Sequence, residues 1–277
     1  MTPTIADKRR RFAELHQAPG CFVMPNPFDI GSAKYLASLG FPALATTSAG
    51  MAFAAGRTDG AVDRAYALSH FRDLAHATDL PLNADFEAGF ATDAEGVYES
   101  ARLCVGAGVA GFSIEDYSGD RNAPLFPLSE AVERLRAARS AIDASGETVL
   151  LTARSEAILR EAGGLTEALR RLAAYAEAGA DVLYAPLLRT TEEVAEVVRV
   201  AGKLPVNVLV GWPGFTRRQL EDLGVKRISV GGALARVAWG AMMRAAKDIA
   251  ESGRFDAFAG LPASREIEAA LVERPSQ

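Results

Sequence analysis

Two carboxylates follow a short apolar segment in residues 81–90, PLNADFEAGF. Asp85 and Glu87 are two positions apart, and alternate residues of an extended strand point to the same face. Two like charges on one face raise the free energy of the protein unless a cation, a proton or solvent compensates them. The pair is therefore a candidate cation-binding site.

Eight short apolar runs predict the strands that would position these residues. They are residues 21–24, 43–47, 80–85, 111–115, 149–153, 181–185, 205–210 and 227–231. The segments between them have helical periodicity, as in residues 128–143, where Ala131, Leu135 and Ala138 fall on one stripe. Such alternation indicates an α/β fold, a parallel sheet covered by helices. Eight units in about 250 residues favour a closed (β/α)8 TIM-type barrel over an open doubly wound sheet.

The chain continues beyond the eighth run with two further helical segments. A long helix is predicted at 231–253 and a shorter one at 262–273. Trp239, Met242 and Met243 form an apolar stripe on the longer helix, which favours packing against another subunit.

The length of 277 residues allows one large α/β domain or two smaller ones. The barrel pattern uses most of this length, so we expect a single barrel domain over residues 1–277. The C-terminal helices of residues 232–277 would then be an extension that lies at a subunit interface.

Composition excludes several other classes of protein. The net charge of -5 is dispersed, and no basic patch indicates nucleic-acid binding. Residues 1–20 lack the apolar core of a signal peptide, and no apolar run is long enough to span a membrane. Cys21 and Cys104 are too few for a disulfide framework, and a reduced cytoplasmic location is expected.

Reactive groups of a parallel barrel collect where the strands end and the following loops begin. The polar residues at these ends are Asn26, Asp29, Thr46, Thr47, Ser48, Asp59, Asp85, Glu87, Glu115, Asp116, Arg154, Glu156 and Asn207. Oxygen ligands with few histidines suit a hard cation, Mg²⁺ or Mn²⁺. Asp116 and Glu156 are interpreted instead as helix caps or surface charges.

Arg154 ends the fifth apolar run, VLLTAR, and has two interpretations. It could bind neighbouring acids, or its planar fork of donors could clamp a substrate carboxylate. The small residues 48–50, SAG, could offer backbone N–H groups to an anion, although most such tripeptides are ordinary turns.

Other catalytic chemistry has little support. His16, His70 and His76 fall in predicted helices, which argues against a histidine triad or a zinc site. Neither a GxxxxGK[ST] phosphate loop nor a GxGxxG motif occurs. Both cysteines are interpreted as small core residues rather than nucleophiles.

Five motifs together resemble the isocitrate lyase/phosphoenolpyruvate mutase superfamily. They are TTSAGMA, NADFEAGF, SIEDYSGD, LLTARSEA and PVNVLVG followed by GVKRISVGGALAR, and the similarity runs from about Asn26 to about Arg244. The resemblance implies a (β/α)8 barrel whose last helix is exchanged between subunits, in a tetramer or a helix-swapped dimer.

The resemblance also implies a Mg²⁺ (or Mn²⁺) site. In it, Asp85 matches the residue that binds the metal directly, while Asp59, Glu87 and Glu115 match acids that hold its waters. Such a site chelates a 2-oxo acid, and the metal stabilises the enolate formed when a bond at C3 breaks.

Further matches assign the remaining candidate residues. The substrate-binding candidates are Ser48, Ala49, Gly50, Asp85, Arg154 and Asn207, and the catalytic candidates are Arg154, Glu115, Arg121 and Asn122. Ala49 stands where the superfamily has a glycine, which is tolerated if its φ is negative.

The main departures from the superfamily lie in two loops. Residues 117–127, YSGDRNAPLFP, lack the cysteine, lysine and histidine of the cleaving lyases, and Arg121 and Asn122 only loosely match the mutases. We expect this segment to be a mobile gating loop with Gly119 as its hinge. Tyr184 begins the segment that stands where the lyases carry a glutamate after strand six.

These features favour a Mg²⁺-dependent carbon–carbon lyase that acts on a small 2-oxo acid. Oxaloacetate-like decarboxylation is the simplest version, because it needs an electron sink but no dedicated base. The alternatives are phosphonopyruvate P–C cleavage or rearrangement, a 2-methylisocitrate-type lyase, and a nearly inactive binder of 2-oxo dicarboxylates such as 2-oxoglutarate. A structural oligomer with incidental acids at the mouth is a further hypothesis from a different class.

Overall fold

The computed structural model describes residues 2–272, which form a ring of short parallel strands surrounded by helices. The strands are β1 (Phe22–Met24), β2 (Leu44–Ala45), β3 (Leu82–Asp85), β4 (Gly111–Glu115), β5 (Leu150–Arg154), β6 (Val182–Tyr184), β7 (Val206–Leu209) and β8 (Arg227–Ser229). Successive strands pair from β2 to β8, and β8 pairs with β1. The predicted (β/α)8 TIM-type barrel is confirmed, and every predicted strand overlaps an observed one.

The helices follow the strands around the outside of the ring. They are α1 (Ile5–Gln17), α2 (Ile30–Ser38), α3 (Ser48–Ala54), α4 (Arg64–Ala77), α5 (Ala94–Gly106), α6 (Leu128–Ser145), α7 (Gly164–Glu177), α8 (Thr191–Ala201), α9 (Arg217–Asp222), α10 (Ala233–Ser252) and α11 (Ser264–Leu271). The helix predicted at 128–143 is α6, and its residues Ala131, Leu135 and Ala138 are buried as the periodicity predicts.

The ring is closed between β1 and β2 by the segments that follow the strands. The Ala45 N–H donates to the Pro25 carbonyl oxygen at 3.0 Å. Asn26 then joins three strand ends, because its Nδ2 donates to the Thr46 carbonyl oxygen and its Oδ1 accepts from the N–H groups of Val230 and Gly231. Asn26 is therefore a structural clamp that holds the mouth of the barrel in shape.

The amino-terminal end of the barrel is closed by α1. Phe12 is fully buried in a cluster with Phe22 and Met24 of β1, and His16 packs edge-on against Phe12 and Phe22. Gly111 makes room for this plug, since a Cβ atom there would lie 2.9 Å from the Phe12 ring. The floor of the barrel is thus formed by α1 and the side chains against which it packs.

The two C-terminal helices carry apolar side chains that the chain itself leaves exposed. Val237, Met242 and Met243 of α10 are 69%, 51% and 61% exposed, and Trp239 is 40% exposed. The predicted apolar stripe is therefore on the surface of this chain. Its placement at a subunit interface stays a prediction.

The structure does not describe every residue of the predicted domain and of the last predicted helix. Residue 1 and residues 273–277 of the predicted domain lie outside the described residues, as does the last residue of the helix predicted at 262–273. Within residues 2–272, no helix is both long enough and apolar enough to cross a membrane.

Candidate active site

A cavity of about 170 Å³ opens at the carboxyl ends of the strands. The predicted residues that line it are Ser48, Ala49, Asp59, Asp85, Arg154 and Asn207. The other candidates, Gly50, Glu87, Glu115, Arg121 and Asn122, do not line it. The topology therefore brings together about half of the predicted site in one chamber.

The two carboxylates of NADFEAGF converge, but not by the alternation of a strand. β3 ends at Asp85, Phe86 is fully buried, and Glu87 has a φ of 48°, in the left-handed region. The prediction that both acids share a strand face is therefore wrong in its geometry. A turn after the strand brings Glu87 back towards Asp85, and the unfavourable left-handed φ indicates that its position matters.

Glu87 carries the electrostatic signature of a crowded acidic site. Burial, followed by repulsion from Asp85 and Asp59, raises the pKa of Glu87 to about 7. Its Oε1 atom is buried and has no hydrogen-bond partner among the described residues. A buried, unpaired acceptor is costly and marks a place where a ligand, water or ion is expected.

Asp85 is held at the centre of the mouth by two elements. Its Oδ2 accepts from the Ser48 N–H at 2.9 Å, and its Oδ1 accepts from Nη1 of Arg154 at 3.2 Å. The Asp85 N–H donates to Oγ1 of Thr46 at 2.8 Å. The carboxylate therefore has a fixed orientation beside the first turn of α3.

Arg154 is surrounded by acids. Its Nη1 lies 3.3 Å from Oε2 of Glu115, and its Nε donates to Oε1 of Glu156 at 2.7 Å. Burial opposes the charge, but Glu115 and Glu156 outweigh it and raise the pKa of Arg154. Burial also raises the pKa of Glu115, with Arg154 acting in the opposite direction. The Nη2 group makes no hydrogen bond to any described residue, so two donors remain for a ligand.

Asp116 and Glu156 are neither helix caps nor surface charges, contrary to expectation. Asp116 is 2% exposed and accepts from the Tyr175 hydroxyl, Nη1 of Arg171 and the Glu156 N–H. Glu156 is fully buried, with one oxygen on Arg154 and the other on Nε of Arg160. Both acids stabilise the structure around the site, and Glu156 fixes the position of Arg154.

The family model for phosphoenolpyruvate phosphomutase matches residues 12–250. The chain belongs to the phosphoenolpyruvate phosphomutase family. A crystal structure from Burkholderia cenocepacia J2315, of a protein described provisionally as a lyase/mutase, is 44% identical, with a TM-score of 0.92 and coverage of 96% of each chain. The 2-methylisocitrate lyase of Bacillus subtilis (strain 168) is 29% identical over 77% of this chain and 72% of its own length.

A third comparison supports the fold alone. The structure of oxaloacetate acetylhydrolase with oxalate has a TM-score of 0.84 at 23% identity, over 97% of this chain and 94% of the other.

The relatives are carbon–carbon lyases and mutases, so the chain is an enzyme of the isocitrate lyase/phosphoenolpyruvate mutase superfamily. The resemblance seen in the motifs is thereby confirmed.

The segment predicted to bind a carboxylate, residues 48–50, forms the first turn of α3. Thr47 caps this helix by accepting from the Gly50 N–H at 3.3 Å. Gly50 is buried, and a Cβ there would lie 2.6 Å from Cγ2 of Thr47, so this glycine serves packing. Ala49 has a helical backbone and tolerates its side chain, and its N–H has no hydrogen-bond partner among the described residues.

The segment predicted to be a gating loop, residues 117–127, is a small hairpin. Tyr117 and Leu125 form an antiparallel bridge, and the Asn122 N–H donates to Oδ1 of Asp120 at its tip. Arg121 and Asn122 are exposed and do not line the cavity. Their catalytic role and the gating motion therefore stay predictions.

Several residues of the cavity wall were not predicted as site residues. Asn83, Ser113, Tyr184, Arg227 and Ser229 all line it. Each belongs to a strand, and three of them, Asn83, Arg227 and Ser229, lie two positions from another residue of the same wall, so inward alternation along the strand would have found those three.

The acids at the mouth fit a hydrated divalent cation of the kind that superfamily enzymes use. Among residues 2–272, no three His, Cys, Asp or Glu side chains already form a cluster that could bind one metal directly. Asp85 would be the one direct ligand, while Asp59, Glu87 and Glu115 would reach the ion through water. The unpaired Oε1 of Glu87 supports the same arrangement.

Proposed function

We propose that this enzyme is a Mg²⁺-dependent (or Mn²⁺-dependent) lyase that breaks a carbon–carbon bond of a small 2-oxo acid, with oxaloacetate decarboxylation as its simplest reaction. One observation supports this most strongly. The mouth combines an all-oxygen acidic cluster with an anchored arginine, and none of the described residues that line it is a histidine, cysteine or lysine. Decarboxylation suits such a site, because it needs an electron sink rather than a base.

The metal would be held by Asp85, with Asp59, Glu87 and Glu115 around its waters. When bound, the ion would polarise the 2-oxo group and lower the energy of the enolate. Burial, followed by repulsion from Asp85 and Asp59, raises the pKa of Glu87, and a bound cation would offset the repulsive part.

The substrate carboxylate would bind between α3 and Arg154. Nη2 of Arg154 and the Ala49 N–H are the unused donors on this side of the cavity, while Glu115 and Glu156 hold the guanidinium in place. A guanidinium whose position is fixed before binding loses little side-chain entropy when the carboxylate arrives. Asn207 lines the wall opposite, where it donates from Nδ2 to Ser229.

The homo-oligomer expected from the resemblance is part of this proposal. Support comes from the exposed apolar side chains of α10, including Val237 and Met243. Light scattering coupled to gel filtration would test it, and a monomer at micromolar concentration would contradict it.

The test of the function is a thermal-shift and pyruvate-release assay with Mg²⁺ and oxaloacetate. Free Mg²⁺ itself promotes decarboxylation, so the rate is compared with that of Asp85→Asn at the same Mg²⁺ concentration. Stabilisation with release above this control supports the proposal. The same panel includes phosphonopyruvate and 2-methylisocitrate, and pyruvate release from one of those alone would replace oxaloacetate as the substrate. It also includes 2-oxoglutarate, and stabilisation by 2-oxoglutarate without turnover would favour the nearly inactive binder. No stabilisation by any ligand would contradict the 2-oxo acid site.

A further inference from the structure

Tyr184 is the last residue of β6, and its side chain lines the cavity. It is 8% exposed, yet its hydroxyl makes no hydrogen bond to any described residue. A buried tyrosine hydroxyl usually has a partner. The donor and acceptor positions of this hydroxyl are therefore available to a ligand in the cavity.

The ring of Tyr184 is held in place by Arg154. The guanidinium lies 5.3 Å from the ring centroid, and the two residues are register partners on β5 and β6. Because Glu156 fixes Arg154, the phenol has a defined position next to the group that would bind the substrate carboxylate.

The described lining of the cavity contains no histidine, cysteine or lysine. Its other hydroxyl groups, on Thr46, Thr47, Ser48, Ser113 and Ser229, are aliphatic alcohols, and its carboxyl groups, on Asp59 and Asp85, are the ones that would hold the metal. A phenol is ordinarily more acidic than an alcohol, and the Arg154 guanidinium beside the ring favours its ionised form. The hairpin at 117–127 also lacks the acid/base cysteine of the cleaving lyases.

We propose that the Tyr184 hydroxyl gives C3 of the enolate its proton after the carbon–carbon bond breaks, an inference that rests on the function proposed above. In oxaloacetate, the electron pair of the C3–C4 bond remains on the three-carbon fragment as the enolate, and C4 leaves as CO₂. The Tyr184 O–H bond then breaks, its proton forms the new C3–H bond, and the phenolate takes a proton from water.

The surroundings of Tyr184 suit this role. Burial raises the pKa of Tyr184 above its ordinary value, which keeps the phenol protonated before each turnover. Arg154 acts in the opposite direction and stabilises the transient phenolate. The hydroxyl can therefore donate one proton, and it lies beside the fixed positive charge of Arg154.

The test compares Tyr184→Phe with Tyr98→Phe, which removes a hydroxyl from α5 outside the cavity. Exchange of the C3 hydrogens of pyruvate with D₂O, followed by NMR in Mg²⁺, reports proton transfer at C3 without bond cleavage. Oxalate binding, measured by thermal shift, reports an intact site. We expect Tyr184→Phe to bind oxalate within twofold of wild type while exchange falls by about 100-fold or more. Tyr98→Phe should match wild type in both.

Three results would overturn the inference. Exchange by Tyr184→Phe within threefold of wild type would show that water or another group supplies the proton. Loss of oxalate binding by Tyr184→Phe would make the hydroxyl a binding contact instead. Wild-type protein that neither exchanges pyruvate nor decarboxylates oxaloacetate would overturn the proposed function, and this inference with it.

Discussion

Two arginines lie inside the barrel, and their surroundings differ in charge. Arg154, at the mouth, contacts the carboxylates of Asp85, Glu115 and Glu156. Arg227, at the start of β8, is 2% exposed and forms no ion pair with any described carboxylate. Its donors bind Oδ1 of Asn207, Oγ1 of Thr152 and Nε2 of His16.

Burial acts on both guanidinium groups, but only one has compensating charge. Burial lowers the pKa of Arg227 to about 9, while the surrounding acids raise that of Arg154. His16 is adapted to the uncompensated charge, because burial and Arg227 lower its pKa to about 3 and keep it neutral. Its Nδ1 lies 2.8 Å from the Phe12 carbonyl oxygen, which assigns the proton to Nδ1 and leaves Nε2 free to accept from Arg227.

The comparison distinguishes the buried charge of Arg227, which stabilises the fold, from the charges at the mouth, which would bind ligands. The floor uses one cation and neutral dipoles to tie together strands β5, β7 and β8 and the helix α1. The mouth instead gathers Asp59, Asp85, Glu87 and Glu115 around a single arginine, leaving an excess of negative charge. That excess is a cost to folding that a bound cation would remove, so we expect metal to affect the mouth and not the floor.

The largest effect is expected for Asp85→Ala at the mouth. Loss of the proposed direct metal ligand should reduce turnover by at least about 1,000-fold, or about 4 kcal/mol of transition-state stabilisation. Thermal shift by Mg²⁺ should disappear as well. Asp29→Ala, which removes the cap of α2 at the neighbouring strand end, should keep both properties. Wild-type turnover by Asp85→Ala would exclude Asp85 as the ligand.

At the floor, Arg227→Met should lower the free energy of unfolding by about 3 kcal/mol, because it leaves buried acceptors on Asn207, Thr152 and His16 without a donor. Urea denaturation with and without Mg²⁺ measures it, and Mg²⁺ should recover none of the loss. The surface variant Arg218→Met should change stability by about 0.5 kcal/mol or less. Rescue of Arg227→Met by Mg²⁺ would mean that the floor and the metal site are coupled.

The floor and the mouth also differ in how well the sequence alone predicted their residues. All eight strands were predicted, because short apolar runs between periodic segments permit few other folds. The residues lining the mouth, such as Ser48, Asp85 and Arg154, followed from their position at strand ends. Arg227 was not singled out, because it begins the run RISVG, whereas the candidate residues were taken from the carboxyl ends of the strands.

The features that the sequence predicted wrongly, at Glu87, Asp116 and Glu156, have physical reasons. The turn at Glu87 depends on a left-handed φ, which a non-glycine residue adopts only when its surroundings impose it. Asp116 and Glu156 are buried by partners far along the chain, including Tyr175 and Arg171 on α7. Long-range ion pairs of this kind have no local signature.

A pH-dependent effect of intermediate size is expected from Glu87. Its pKa in the folded protein is about 7, against an ordinary value of 4.5, so the folded state binds the proton more tightly than the unfolded state. The free energy of unfolding should therefore fall as pH rises from about 4.5 to 7, by on the order of 2 kcal/mol.

Denaturation of wild type and Glu87→Gln across this range isolates the contribution. The variant should lose the downward slope, since its amide does not titrate. Mg²⁺ should flatten the slope of wild type, because the cation favours the ionised carboxylate. An identical slope in both proteins without metal would assign the titration to another group.

The smallest effect is expected for Arg154→Lys. The lysine keeps the positive charge among Asp85, Glu115 and Glu156, so stability should change by about 1 kcal/mol or less. Binding of a 2-oxo acid should weaken by about tenfold, because an ammonium group cannot present the second pair of donors that Nη2 supplies. Calorimetric titration with oxalate in Mg²⁺ measures the affinity, and Arg160→Lys is the matched control, since Arg160 also binds Glu156 but lies outside the cavity. Unchanged affinity in Arg154→Lys would mean that Arg154, like Arg227, has a structural role and does not bind the substrate.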